Sequence, residues 1–256
     1  MTCGEETEKE CLEAFRTGVR AYPDKVTFQE VRNITPASVA LNKMFDLCKT
    51  KYLVPLDADM ILYLGFMERI TSAIDKHPSG WHSLLFPLWD TLTARKIMAL
   101  KVFDMDIIKN FRYQDDPCPD IKHYKDLDRA GYKAVNLMEE QPIGDHVVRG
   151  NFFCYAKYRD LYMVTRSHPE TILESHFIGG RDLKSRAKNH FDFFSIAYQN
   201  TGNVDYLYCI SGMVEGLTNP LTHKSKDLSD TNMRISLGNA ENIFKSWYNK
   251  NRRIFM

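Results

Sequence analysis

The chain has 256 residues, enough to bury the core of one large α/β domain or two small ones. Its 34 lysines and arginines nearly balance 33 aspartates and glutamates, so no strongly basic field argues for non-specific nucleic-acid binding. The six cysteines (3, 11, 48, 118, 154 and 209) make no CxxC pair and no zinc spacing, and read as scattered thiols of a reducing compartment.

In chain order, residues 5–21 suit a helix with Leu12, Phe15 and Val19 on one face, and Thr7 with Glu10 predicts a capping box. Residues 26–34 alternate and predict a strand. Thr35-Pro36 signals a helix start, with Leu41, Phe45 and Cys48 on its buried face up to about Thr50. A strand over Tyr52–Leu56 follows, then a helix lined by Phe66, Ile70 and Ile74. Leu84–Phe86 and Ala99–Phe103 read as strands, Asp104 as the cap of a short helix to about Phe111, Ile121–Ala130 as a helix, and Tyr132–Leu137 as a strand. Beyond residue 150 the pattern turns helical over Asn151–Arg166 and Leu183–Gln199, with a last strand at Val204–Cys209.

This βαβ rhythm predicts a Rossmann-type α/β sandwich, with a mostly parallel mixed sheet flanked by helices and a helical C-terminal part. One domain is the simplest account. Residues 1–95 would form one half, 96–150 a second, and 151–256 a mainly helical extension that packs beside the second or shapes its cleft. No signal peptide and no apolar run of about 20 residues stands out, so the expected location is cytoplasmic, at most peripheral to the inner face of a membrane. The Asn33-Ile34-Thr35 sequon carries no weight without a secretion signal, and Lys250-Asn251-Arg252-Arg253 reads as a solvated terminus.

Asp57-Ala58-Asp59 closes the apolar run that begins at Tyr52, and Met60-Ile61-Leu62 follows it. Carboxylates are costly at the end of a hydrophobic strand unless something cationic sits there. In an extended segment, side chains two apart face the same way with Cα atoms roughly 7 Å apart. Asp57 and Asp59 would then both address one hard divalent ion, Mn²⁺ or Mg²⁺, with positions left for phosphate oxygens. The competing reading makes Asp59 the cap of a helix that begins near Gly65.

Further along stand Leu100–Lys109, then Asp120, then Ala130-Gly131-Tyr132-Lys133, then His146. With the Asp-Ala-Asp tripeptide, and in this order over roughly residues 35–150, the chain resembles a family-2-type glycosyltransferase of the GT-A fold. The resemblance implies that Asp57 and Asp59 bind the metal and the nucleotide-sugar donor, that Asp120 is the catalytic base, and that His146 is a third metal ligand. It also implies that residues 1–95 hold the nucleotide sugar and 96–150 the acceptor. His146 can equally stabilise a loop, and Asp120 can equally cap its helix. Asp115, Asp116, Asp126 and Asp128 are neighbouring substitutes for the base, and Asp128 reads rather as a solvated helix residue. Asp116 is also a candidate substrate contact. Trp89 reads either as a platform for a sugar face or as a core tryptophan.

Family members usually open with a full strand before the first helix. This chain opens Met1-Thr-Cys-Gly4, so a shortened wall for the nucleotide base is expected. The Gln-X-X-Arg-Trp motif of processive synthases is absent, which favours transfer of single sugars. A glycan, a protein side chain or a modified nucleobase remains open as acceptor, and the neutral charge tells against DNA. A non-catalytic glycosyltransferase-like module is a second reading. A phosphatase of the haloacid dehalogenase type is a third, disfavoured because Met60 stands where Thr or Val is usual.

Overall fold

The molecule is described from a computed structural model covering residues 6–116, 119–167, 182–218 and 237–250. Cys3, Cys118, His176 and residues 251–253 fall outside these segments. The chain divides into two compact units, residues 1–148 and 149–256.

The first unit runs α1 (Glu8–Val19), α2 (Ala37–Leu47), β1 (Tyr52–Leu53), β2 (Met60–Leu62), α3 (Phe66–Lys76), β3 (Trp81–Asp90), β4 (Arg95–Asp104), α4 (Met105–Ile108), α5 (Pro119–Arg129), β5 (Lys133–Asn136) and β6 (Gly144–His146). One sheet collects the strands in the order β1-β4-β3-β6-β2, with β5 also on β3. The mostly parallel sheet expected from the sequence is not what forms. β1/β4, β3/β4 and β2/β6 pair antiparallel, while β3/β5 and β3/β6 pair parallel. Only residues 91–94 separate β3 from β4, a hairpin connection; a parallel crossover needs a dozen residues or more.

Strand β3 is central and reads as a continuous apolar run because both its faces are covered: Leu84, Phe86 and Leu88 have no exposed surface. Burying each such side chain contributes about 1.5–3 kcal/mol. Pro87 is tolerated in this central strand because the β3/β4 register shifts between Phe86 and Pro87, where no ladder N–H is required. One face of the sheet packs on α3 through Phe66, Ile70 and Ala73. Phe103, Met105, Ile108 and Leu127 form a second core with Phe45 of α2.

Several local expectations change. The strand expected at 26–34 is reduced to an isolated bridge at Arg32, and Asn33 turns left-handed at φ 52°. The strand at 52–56 shortens to Tyr52–Leu53. Thr7 makes no capping hydrogen bond within α1, and α3 is preceded by Gly65 at φ 86°, so Asp59 does not cap it. Asp104 does cap α4, accepting from the Asp106 N–H at 3.0 Å.

The second unit contains α6 (Asn151–Ser167), α7 (Leu183–Thr201), α8 (Val204–Thr218) and α9 (Leu237–Lys250). The strand expected at 204–209 is the first half of α8. That helix buries Leu207, Cys209, Ile210, Ser211, Met213 and Val214, nearly all its circumference, so its sequence carries no one-sided stripe. Gly212 and Gly216 let α8 lie directly on the α6 backbone. A Cβ at Gly212 would stand 2.0 Å from the Tyr155 carbonyl oxygen, and one at Gly216 2.3 Å from that of Arg159.

Candidate functional site

Asp57-Ala58-Asp59 is not the end of an extended strand, as expected, but a tight turn between β1 and β2. Each of its carbonyls is engaged. Asp57 accepts from the Met60 N–H at 3.0 Å and from the Cys11 thiol at 3.5 Å. Ala58 accepts from the Thr7 hydroxyl at 2.8 Å, and Asp59 from the Val147 N–H at 2.7 Å. Thr7, 2% exposed, thus spends its hydroxyl on this turn instead of on its own helix. The turn is fixed from α1 on one side and from the end of β6 on the other.

The register Met60↔His146 on β2/β6 and Asp90↔His146 on β3/β6 brings His146 to the same end of the sheet as the turn. Its Nε2 lies 3.2 Å from Asp59 Oδ2 and its Nδ1 lies 3.3 Å from Asp90 Oδ1. His146 is 8% and Asp90 4% exposed, and the Thr93 hydroxyl donates to the other Asp90 oxygen at 2.5 Å. Asp90 is a residue that sequence reading missed. It closes a ten-residue strand, and only the cross-strand register reveals its partner.

Asp57 is partly buried, and burial, reinforced by the neighbouring Asp59 charge, pushes its carboxyl up to about 6. Lys101 pulls the other way and Asp120 pushes up. Lys101 Nζ pairs with Asp120 Oδ1 at 2.9 Å. Burial opposes the Lys101 charge, but Asp120, Tyr124 and Tyr113 together outweigh it, and the ammonium is held well above its ordinary range. Asp120 sits in the first turn of α5 with half of its side chain exposed. Lys101 is a second residue that the sequence did not single out; it is one lysine in an alternating strand.

Asp126 is occupied by Lys122 and Arg129 at 3.5 and 3.2 Å, and Asp115 and Asp128 are exposed. Asp116 is partly buried on the segment before α5. Trp89 is not a core tryptophan: it is 39% exposed on β3, next to Asp90 and opposite Asp145. An apolar cavity of about 350 Å³, lined by Phe15, Phe28, Leu53, Leu56, Phe66 and Ile70 among others, reaches Ala58 but neither aspartate of the turn.

Among the described residues no group of three or more His, Cys, Asp or Glu side chains is arranged to hold a metal ion. Two donors fit one. Neighbouring ligands in an octahedral shell with bonds near 2.1 Å are about 3.0 Å apart, close to the 3.2 Å between Asp59 Oδ2 and His146 Nε2. A site with so few protein donors suits an ion that arrives with phosphate oxygens and water.

No family profile and no curated protein matches the chain. Among solved structures it is similar to S. aureus TarS 1–349, with a TM-score of 0.42 and 11% identity, over 82% of this chain and 77% of that one. At that TM-score the likeness carries no argument about chemistry, which rests on the geometry above.

Proposed function

We propose that the chain is a metal-dependent, non-processive glycosyltransferase that moves one sugar from a nucleotide-sugar donor to an acceptor hydroxyl with inversion. The observation that carries this reading is the meeting of Asp59 and His146 at 3.2 Å on a turn whose three carbonyls are all tied down. Such a turn holds its donors in place before any ligand arrives, which is what electrostatic stabilisation of a leaving diphosphate needs.

In this reading Asp59 and His146 hold Mn²⁺ or Mg²⁺, with Asp57 beside them. The ion supplies charge neutralisation for the departing nucleoside diphosphate. Burial raises the Asp57 carboxyl to about 6, and positive charge brought near favours its ionised form. Asp120 is the base. A sugar hydroxyl is a poor nucleophile near neutral pH, and a carboxylate within hydrogen-bond reach takes its proton as attack begins. Lys101 pairs with Asp120 and fixes its direction.

The test has two arms. Calorimetry with Mn²⁺ and a panel of uridine, guanosine and thymidine diphosphate sugars should show cation-dependent binding that Asp59→Asn abolishes with the fold intact. Asp120→Asn should bind donor normally and lower turnover about 10²-fold or more. Unchanged nucleotide affinity in Asp59→Asn with metal present, or a product of retained anomeric configuration, refutes the proposal.

A further inference from the structure

One face of the sheet beside the Asp-Ala-Asp turn is built unlike the rest of the surface. Trp89 on β3, Asp145 on β6 and Ile61 on β2 are direct cross-strand partners in one row. Partners in register point to the same face, and Tyr63, two residues beyond Ile61, shares it. The Tyr63 N–H donates to the Ile143 carbonyl at 3.0 Å, so the β2/β6 pairing runs on to this residue. Trp89 is 39% exposed, Tyr63 42% and the adjoining Leu64 84%. The Tyr63 hydroxyl donates to the Asp145 carboxylate, which fixes the edge of its ring. Lys96, opposite Trp89 on β4, is turned away to the Met138 and Glu140 carbonyls at 2.8 and 3.3 Å.

The opposite face at this end of the sheet carries Met60, Asp90 and His146, all buried. Ile61 and Asp145 are half-buried, and an exposed tryptophan on a central strand forgoes the burial that strand offers. Two strand spacings separate the Trp89 and Ile61 backbones, roughly 10 Å, and Tyr63 lies further along β2.

The geometry points to a binding surface for a carbohydrate chain, in which Trp89 and Tyr63 stack on sugar rings and Asp145 accepts from a sugar hydroxyl. A pyranose offers an apolar face of C–H groups and a rim of hydroxyls. An exposed indole, an exposed phenol ring and a carboxylate between them match that pattern. The row lies at the same end of the sheet as Asp59, on the face opposite Asp90 and His146. That a chain bound here is the acceptor rests on the glycosyltransferase reading; that the surface binds sugar does not.

The chain has three tryptophans, so the indole N–H region of a ¹⁵N–¹H spectrum has three side-chain signals to follow. Trp89→Phe assigns one of them. Titration of the full chain, without nucleotide or metal, with soluble oligomers of glucose, N-acetylglucosamine and galactose should move the Trp89 signal and leave that of buried Trp81 in place. Trp89→Ala should weaken binding tenfold or more, and Tyr63→Ala should weaken it too, while Tyr63→Phe keeps the ring and most of the affinity. No movement with any oligomer at millimolar concentration overturns the inference. So does unchanged affinity in a folded Trp89→Ala variant, or a Trp89-dependent dimer in sedimentation without sugar binding. Sugar binding without turnover of any nucleotide sugar removes the transferase reading and leaves this surface standing; donor turnover without sugar binding does the reverse.

Discussion

Asp90 holds His146 across a single rung of the sheet, carboxylate oxygen to Nδ1 at 3.3 Å, with both side chains buried. A carboxylate on one ring nitrogen fixes the tautomer and aims the other nitrogen, here at Asp59. Replacing Asp90 by Asn offers an amide that can donate to Nδ1 and move the proton to Nε2, the effect known from a triad aspartate. Asp90→Asn should therefore weaken Mn²⁺ binding about 10–100-fold in calorimetry, with Asp90→Glu recovering part of the loss. The ¹⁵N signature of the His146 ring, recorded without metal, should change in Asp90→Asn. An unchanged ring signature and unchanged cation affinity would remove the orienting role.

Thr7 ties the first turn of α1 to the Ala58 carbonyl, 51 residues away. Thr7→Val keeps the shape and leaves a buried carbonyl without its donor, at a cost of about 1–3 kcal/mol. Thr7→Ser should lose little. Chemical denaturation measures the first effect, and cation affinity should fall with it, because the turn that carries Asp59 loosens.

His82 sits on β3 with no exposed surface, its Nδ1 3.1 Å from the Ser83 hydroxyl and its ring near Tyr124. Burial lowers its pKa from 6.5 to about 4, against a weaker opposing pull from Asp128. In this window the unfolded chain binds a proton that the folded one refuses. The resulting stability is complete above pH 6.5 and is lost as pH falls to about 4, amounting to on the order of 3 kcal/mol. His82→Gln should show a smaller loss over the same range in pH-dependent urea unfolding. An equal slope in both proteins would show that His82 does not titrate as the burial argument requires.

Gly212 has no room for a side chain against the Tyr155 carbonyl oxygen. Gly212→Ala must push α8 away from α6, and overpacking of this kind costs about 1–3 kcal/mol or more. Circular dichroism should show a lower melting temperature. Gly238→Ala, where nothing lies within 4 Å of the added atom, should not lower it and serves as the control.

Where the chain's local chemistry was one-sided, the sequence was enough. Phe66, Ile70 and Ile74 mark α3, Asp104 caps α4, and the Asp-Ala-Asp tripeptide stands out because a costly pair of carboxylates interrupts apolar residues. These signals depend on neighbours two to four residues apart, so they can be read along a line. The tertiary structure alone decided the rest. Strand direction followed from the short β3–β4 hairpin, and α8 hid its helix because it is buried on nearly every side. The turn at residues 57–59 is shaped by Thr7, Cys11 and Val147, while His146 is aimed by Asp90 and Asp120 is held by Lys101. Each of these partners lies 19 to 88 residues from the group it positions. No periodicity links them; Asp90 and His146 meet because their strands pair in one register, and a shift of one residue would turn either side chain to the other face.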